Sequence, residues 1–313
     1  MYDLGIIVKS RAVVYLGLLY VVFCWALNTV ILKYAFGAFD PMALTGMRFI
    51  AMTPLAFVLA RIMGERVRVN WRDLPLLIVC GACGYGVYQY LWVIGLAHTT
   101  PFASALLSAL APVMTLGIVA ASGQERVRSG RWLGAVIALL GVAIFEGAFA
   151  GHATFRIGDA LTLLATALFA FFNVFSAKVL GRYTPVSFVA ITMTIGTIMI
   201  LPGALPRMVH QNFSHIPAVD WAIYAYAVLF PILLTYPVWS YGISLIGAAR
   251  TSLFQFATPV IAGLLSVAIL RSHIEAHQIL GAAICIGGMA LSQLIGKQSL
   301  FVLWAQRTQG VER

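Results

Sequence analysis

Ten runs of apolar residues, each about as long as a bilayer core is thick, dominate this chain. They fall near residues 12–33, 42–61, 74–96, 101–121, 131–148, 158–179, 186–205, 221–246, 251–270 and 276–296. In lipid every main-chain polar group must be satisfied within the protein, so continuous runs of this length can only be helices. The hydrophobic share of 61% and a mean hydropathy of +0.94 separate the chain from soluble domains, which are about 45–50% apolar. The expected fold class is an all-α polytopic membrane protein with ten transmembrane helices.

Several runs open with helix-entry signals. Asp40-Pro41, Thr100-Pro101 and Thr184-Pro185 each put a capping side chain before a proline at the first helical position, and Ser272 with Glu275 has the spacing of a capping box. The first run is too long for a signal-peptide core and is read as a span.

The loops set the orientation. With a cytoplasmic N-terminus, fifteen of the twenty Lys and Arg residues lie on the inner side, four (Lys33, Arg156, Arg207 and Arg271) lie outside, and Arg48 lies within the second span. That bias is the positive-inside pattern, and it places both termini in the cytoplasm; the expected location is a plasma membrane, the inner membrane in a bacterium. It also accounts for the net charge of +10 without a nucleic-acid partner.

The second half of the chain is a faint copy of the first. Trp92, Gly95, Pro112, Gly134 and Gly141 recur 147 residues later as Trp239, Gly242, Pro259, Gly281 and Gly288, while Asn28 and Lys33 recur at an offset of 145 as Asn173 and Lys178. The expected halves are residues 1–150 and 151–297, followed by a cytoplasmic tail, 298–313. Each half holds five spans. An odd number inverts the second copy, an arrangement that many secondary transporters use to build one midplane site reachable from either side.

Polar and conformationally special residues inside the spans mark where that site should lie. Pro112 and Pro259 each remove a donor and free the carbonyl four residues earlier, at Ser108 and Gln255. Irregular backbone at membrane depth belongs in a cavity or inside protein, so these prolines, with Pro231 and Pro237 of the eighth span, are read as hinges. Tyr85, Gln89 and Trp92 share one helical face, with Tyr88 beside them, and Tyr236 and Trp239 occupy the copied positions of Gln89 and Trp92. Trp25, Asn28 and Asn173 add an indole and two amides at depths where polar groups are costly against lipid. With Ser104, these residues form the expected substrate-binding set. Arg48 and Glu146 are read as a structural ion pair, since a buried guanidinium needs a partner.

Other chemistries find no support. Cys80 and Cys83 form an isolated C-x-x-C without a second pair, and the six histidines fall in loops or at helix ends, so no metal, cofactor or catalytic group is expected.

Pro41 followed by Arg48-Phe49, Gly95-Leu96-Ala97 leading to Ser104-Ala105 and Ala111-Pro112, Glu125 ahead of Gly134, and Gly158-Asp159 together resemble EamA-type transporters of the drug/metabolite transporter superfamily. The resemblance covers about residues 12–296. It implies two inverted five-helix repeats around a cavity drawn from the first, third and fourth helices and from the sixth, eighth and ninth. It also implies movement of a small metabolite, often an amino acid and commonly outward; the chain is expected to work as a monomer, with a dimer as the alternative. Glu125 faces Ser272 at the copied position, so the second copy lacks that acid. The first span lacks the acid with which small multidrug exporters bind cations. A flippase for lipids or amphipathic compounds with the same fold, and a receptor or scaffold without transport, are the alternative readings.

Overall fold

The computed structural model describes residues 11–121, 129–145 and 155–294, all helices and connecting turns with no strand among the described residues. In chain order the helices are α1 (Arg11–Ala35), α2 (Pro41–Ile62), α3 (Leu74–Gly84), α4 (Gly86–Ala97), α5 (Pro101–Ser108), α6 (Ala111–Ala121), α7 (Ser129–Phe145), α8 (Ile157–Val179), α9 (Pro185–His210), α10 (Ala218–Val228), α11 (Thr235–Ile246), α12 (Ala248–Ser252), α13 (Ala257–Leu270) and α14 (Ala276–Leu294). Among the described residues, seven stretches are long and apolar enough to cross a membrane: Ala12–Ala35, Pro41–Ile62, Trp71–Ala97, Pro101–Ile118, Ile157–Val179, Pro185–His210 and Ala218–Ile246. Trp132–Phe145, Phe254–Leu270 and Ala276–Leu291 are apolar but shorter.

Three helix starts follow the expected capping chemistry. Asp40 accepts from the backbone N–H groups of Met42 and Ala43, Thr100 from that of Ala103, and Thr184 from that of Ser187, each with a proline in the first turn. The Ser272 capping box does not form. Arg271 takes a left-handed conformation (φ 50°) to close α13, and the Ser272 N–H donates to Ser266 O, so Ser272 helps end one helix and leaves the start of the next to Gln278, whose Oε1 accepts from Glu275 N.

Four of the apolar runs break partway. Tyr85, flanked by two glycines, separates α3 from α4, and Ala109 and Leu110 separate α5 from α6, where Pro112 cannot donate back to Ser108 O. Between α10 and α11 the chain widens into a π-helical segment, Leu229–Leu234, that contains Pro231. A 3-10 turn, Leu253–Phe256, precedes α13. Shifted by 147 residues, Tyr85 falls on Ile232 in the π segment, and Ser108 falls on Gln255 in the 3-10 turn. The breaks thus occupy corresponding places in the two sequence copies.

The described residues form two compact units. One comprises those up to Thr115 and from Phe155 to His273. Its buried core includes Leu18, Val21, Phe49, Phe172, Phe188 and Trp239. Lys33 Nζ donates to Leu96 O (2.9 Å) and Ala97 O (2.8 Å), the last carbonyls of α4, where a cation also meets the negative end of the helix dipole. Thr99 donates to Asp159 Oδ1 in the first turn of α8. The end of α1 therefore lies with the start of α8. At the opposite end, Tyr183 OH donates to Asp73 Oδ2 (3.2 Å) and Arg182 pairs with Asp73 at 2.7 Å.

The second unit comprises the described residues between Leu116 and Phe145 and from Ile274 to Leu294, and its centre is the pairing of α7 with α14. Here main chain meets main chain. A Cβ on Gly141 would lie 2.3 Å from Cys285 N and 2.7 Å from Gly281 O, one on Gly281 would lie 2.7 Å from Gly141 O, and one on Gly288 would lie 2.4 Å from Ala138 N and 2.8 Å from Gly134 O. Position 141 thus meets 281 while 134 meets 288, the reversed order of an antiparallel pair. Small residues allow such approach in membranes, where apolar burial gives helices no mutual drive. We expect Gly288→Leu to destabilise the protein by about 1–3 kcal/mol in thermal unfolding in detergent. Gly287→Leu, with nothing within 4 Å of the added Cβ, should leave the melting temperature unchanged.

Candidate functional site

A cavity of about 650 Å³, counted to its mouth, lies within the first unit. It is lined from α1 by Trp25, Asn28 and Thr29, from α4 by Tyr88, Gln89 and Trp92, and from the α5 break by Ala105, Ser108 and Ala109. Thr166 and Phe169 of α8, Pro231 and Ile232 of the π segment, Tyr236 of α11, Gln255 of the 3-10 turn and Thr258 of α13 complete the lining. No lining side chain carries a formal charge.

The broken helices create this space and its aromatic residues prop the breaks. Trp25 Nε1 donates to Pro231 O (2.8 Å) and Thr235 Oγ1 (3.0 Å), and Thr235 Oγ1 itself donates to Pro231 O. Tyr236 OH donates to Gly84 O, beside the α3–α4 break, at 3.4 Å. The rings pack closely: Trp25 lies 4.8 Å from Trp239, 5.7 Å from Tyr236 and 5.7 Å from Phe169 between ring centroids. Such pairs fix one another's orientation through their quadrupoles. Against this wall stand polar atoms without partners. Asn28 Oδ1, Gln255 Oε1 and Thr258 Oγ1 are buried and have no hydrogen-bond partner among the described residues. A buried acceptor left open costs about 1–3 kcal/mol, so each is a place where a ligand donor gains a full hydrogen bond.

Of the residues singled out in the sequence, the structure brings Trp25, Asn28, Tyr88, Gln89, Trp92, Ser108, Pro231, Tyr236 and Gln255 to one cavity. Tyr85, Ser104, Asn173 and Trp239 are buried outside its lining. Tyr85 is wedged at the break with its ring 4.8 Å from Tyr236 and 5.8 Å from Phe172, while Trp239 Nε1 donates to Asn173 Oδ1 at 3.1 Å. Pro112 and Pro259 sit in the opening turns of α6 and α13, and Pro237 lies in α11. Arg48 is wholly buried. Its Nε donates to Ala227 O (3.3 Å) and its two terminal nitrogens have no partner among the described residues; Glu146, its expected partner, lies outside them. Thr166 and Phe169 were missed, although with Asn173 they follow an i, i+3, i+7 spacing that places all three on one face of α8.

An apolar bundle of long helices, several of them broken beside an aromatic cavity, marks a multi-pass membrane protein. The chain belongs to the EamA-like transporter family, whose model matches it twice, over residues 12–146 and 156–294. An uncharacterized transporter of Archaeoglobus fulgidus is 25% identical over 266 residues, 85% of this chain and 93% of that protein. A Streptantibioticus cattleyicolor protein named "probable terminal-alkyne amino-acid exporter" is 29% identical over 224 residues, 72% of this chain and 74% of its own. A Salmonella typhimurium protein named "probable amino-acid metabolite efflux pump" is 25% identical over 297 residues, 90% and 95% of the two chains. A crystal structure 19% identical in sequence shares the fold, with a TM-score of 0.67 over 92% of this chain and 99% of that one.

Asn28 provides a direct check on the cavity. Its oxygen contributes no internal hydrogen bond, so Asn28→Leu should change stability by less than about 1 kcal/mol while removing ligand-induced stabilisation in a thermal-shift assay.

Proposed function

We propose that the chain is a secondary transporter that exports a small neutral or zwitterionic metabolite, an amino acid or a close relative, across the bacterial inner membrane. The observation that carries this reading is the uncharged cavity, where aromatic faces stand opposite unpaired amide and hydroxyl oxygens on helices from both sequence copies. Aromatic faces accept an apolar side chain or an ammonium group, and the open oxygens accept its N–H donors. The names carried by the Streptantibioticus and Salmonella relatives favour the same cargo class and direction.

The mechanism we propose is alternating access by two inverted five-helix repeats, residues 1–150 and 151–297, with both termini and the 298–313 tail in the cytoplasm. Support comes from the breaks at copied positions, from the α7–α14 contact in which each copy's glycines meet the other's in reversed order, and from the bias of Lys and Arg. Pro112 and Pro259 flank two of the breaks and serve as the points of flexure.

Proteoliposomes preloaded with labelled apolar amino acids test the proposal. The expected result is saturable efflux that Trp92→Ala slows about tenfold or more, the equivalent of about 1.4 kcal/mol. Movement of labelled phospholipid without amino-acid flux would favour the flippase reading instead. Ligand binding without flux of any kind would favour a receptor.

A further inference from the structure

The two tryptophan and asparagine pairs of the sequence copies stand in different states. Trp239 and Asn173 have no exposure and are joined by the indole N–H. Their counterparts, Trp92 and Asn28, line the cavity at 7% and 5% exposure, and Asn28 Oδ1 accepts no hydrogen bond among the described residues. The pairs also lie toward opposite ends of the bundle. Asn28 and Trp92 lie toward the end where Lys33 meets Ala97, while α8 starts at that end and carries Asn173 away from it. One copy of the bond is made and the other is open.

An open buried acceptor is costly, and the copied geometry supplies its donor on the Trp92 indole. Two halves alike in sequence allow two states of like composition, each with one bond made. We propose that the Trp–Asn hydrogen bond is exchanged between the copies: Trp92 binds Asn28 Oδ1 in the state in which Trp239 releases Asn173. Each asparagine is then a positioning residue with alternating partners. Its amide oxygen takes a donor from the cargo while its end is open and from its own tryptophan when that end closes. Cargo held on Asn28 must leave before the Trp92 end can latch, which ties closure to release. The inference rests on the alternating-access reading above and adds the groups that hold each state.

Hydrogen–deuterium exchange on the full-length protein in detergent, without cargo, tests it. Trp239→Phe keeps the ring and removes the donor. It should raise exchange in α11 about fivefold and lower it in α4 by a like factor, as expected for a population shift set by one hydrogen bond. Asn28→Leu removes the opposing latch and should produce the reverse, with faster exchange in α4 and slower exchange in α11. Two independent variants guard against one that fails to fold. Purely structural bonds would loosen only the mutated end; an unchanged or same-signed response at the far end in either folded variant overturns the exchange. Because no cargo is present, amino-acid efflux without the reciprocal response overturns the latch alone, and a reciprocal response without efflux overturns only the cargo assignment.

Discussion

Main-chain groups released by a broken helix have no water to turn to in hydrocarbon, and that constraint organises the centre of this protein. Four apolar runs break, and the carbonyls at two of the breaks are met by side chains that also face the cavity. The Trp25 indole reaches Pro231 O, and the Tyr236 hydroxyl reaches Gly84 O. The cavity and the breaks are consequently one construction. A side chain that holds an irregular segment in place is also a wall against which a ligand rests, so a change in the segment's conformation is felt at the wall.

The lining is mostly apolar and aromatic, with a few amide and hydroxyl groups and no formal charge. Under the transport reading proposed above, a cargo with a net charge would lose its hydration against aromatic rings and gain only neutral dipoles in return. A zwitterion or an uncharged metabolite fares better, because opposite partial charges can be met locally by amide and hydroxyl groups. The two copies contribute unequally: Trp92 and Asn28 face the cavity, whereas Trp239 and Asn173 are engaged with each other. Sequence symmetry thus coexists with structural asymmetry.

The all-helical fold was legible in the chain because its strongest signals are local. A capping side chain before a proline needs nothing from the rest of the fold, and Asp40, Thr100 and Thr184 behave as their spacing indicates. Ser272 does not, because the preceding helix claims its backbone before the next helix can use its side chain. The cavity was legible where polarity stood out against apolar surroundings, as at Asn28, Gln89 and Gln255. Phe169 lacked that contrast; a phenylalanine on a phenylalanine-rich helix gives no sign of facing a cavity. Asn173 and Trp239 showed the reverse difficulty, since composition reveals a polar group but not whether a neighbour has already taken it. Glu146 and Glu125 lie outside the described residues.

The seam between α7 and α14 bears on how such a chain can vary over generations. Gly141 and Gly281 each press against the other's carbonyl, and in sequence each belongs to a glycine pair that the other half repeats seven residues apart. A side chain gained on either helix fills the same gap from opposite walls, and no compensating loss on the partner is available, because a glycine has nothing left to give up. Drift at this seam can proceed only by moving backbone. The spacing of these glycines should therefore outlast most of the likeness between the two halves.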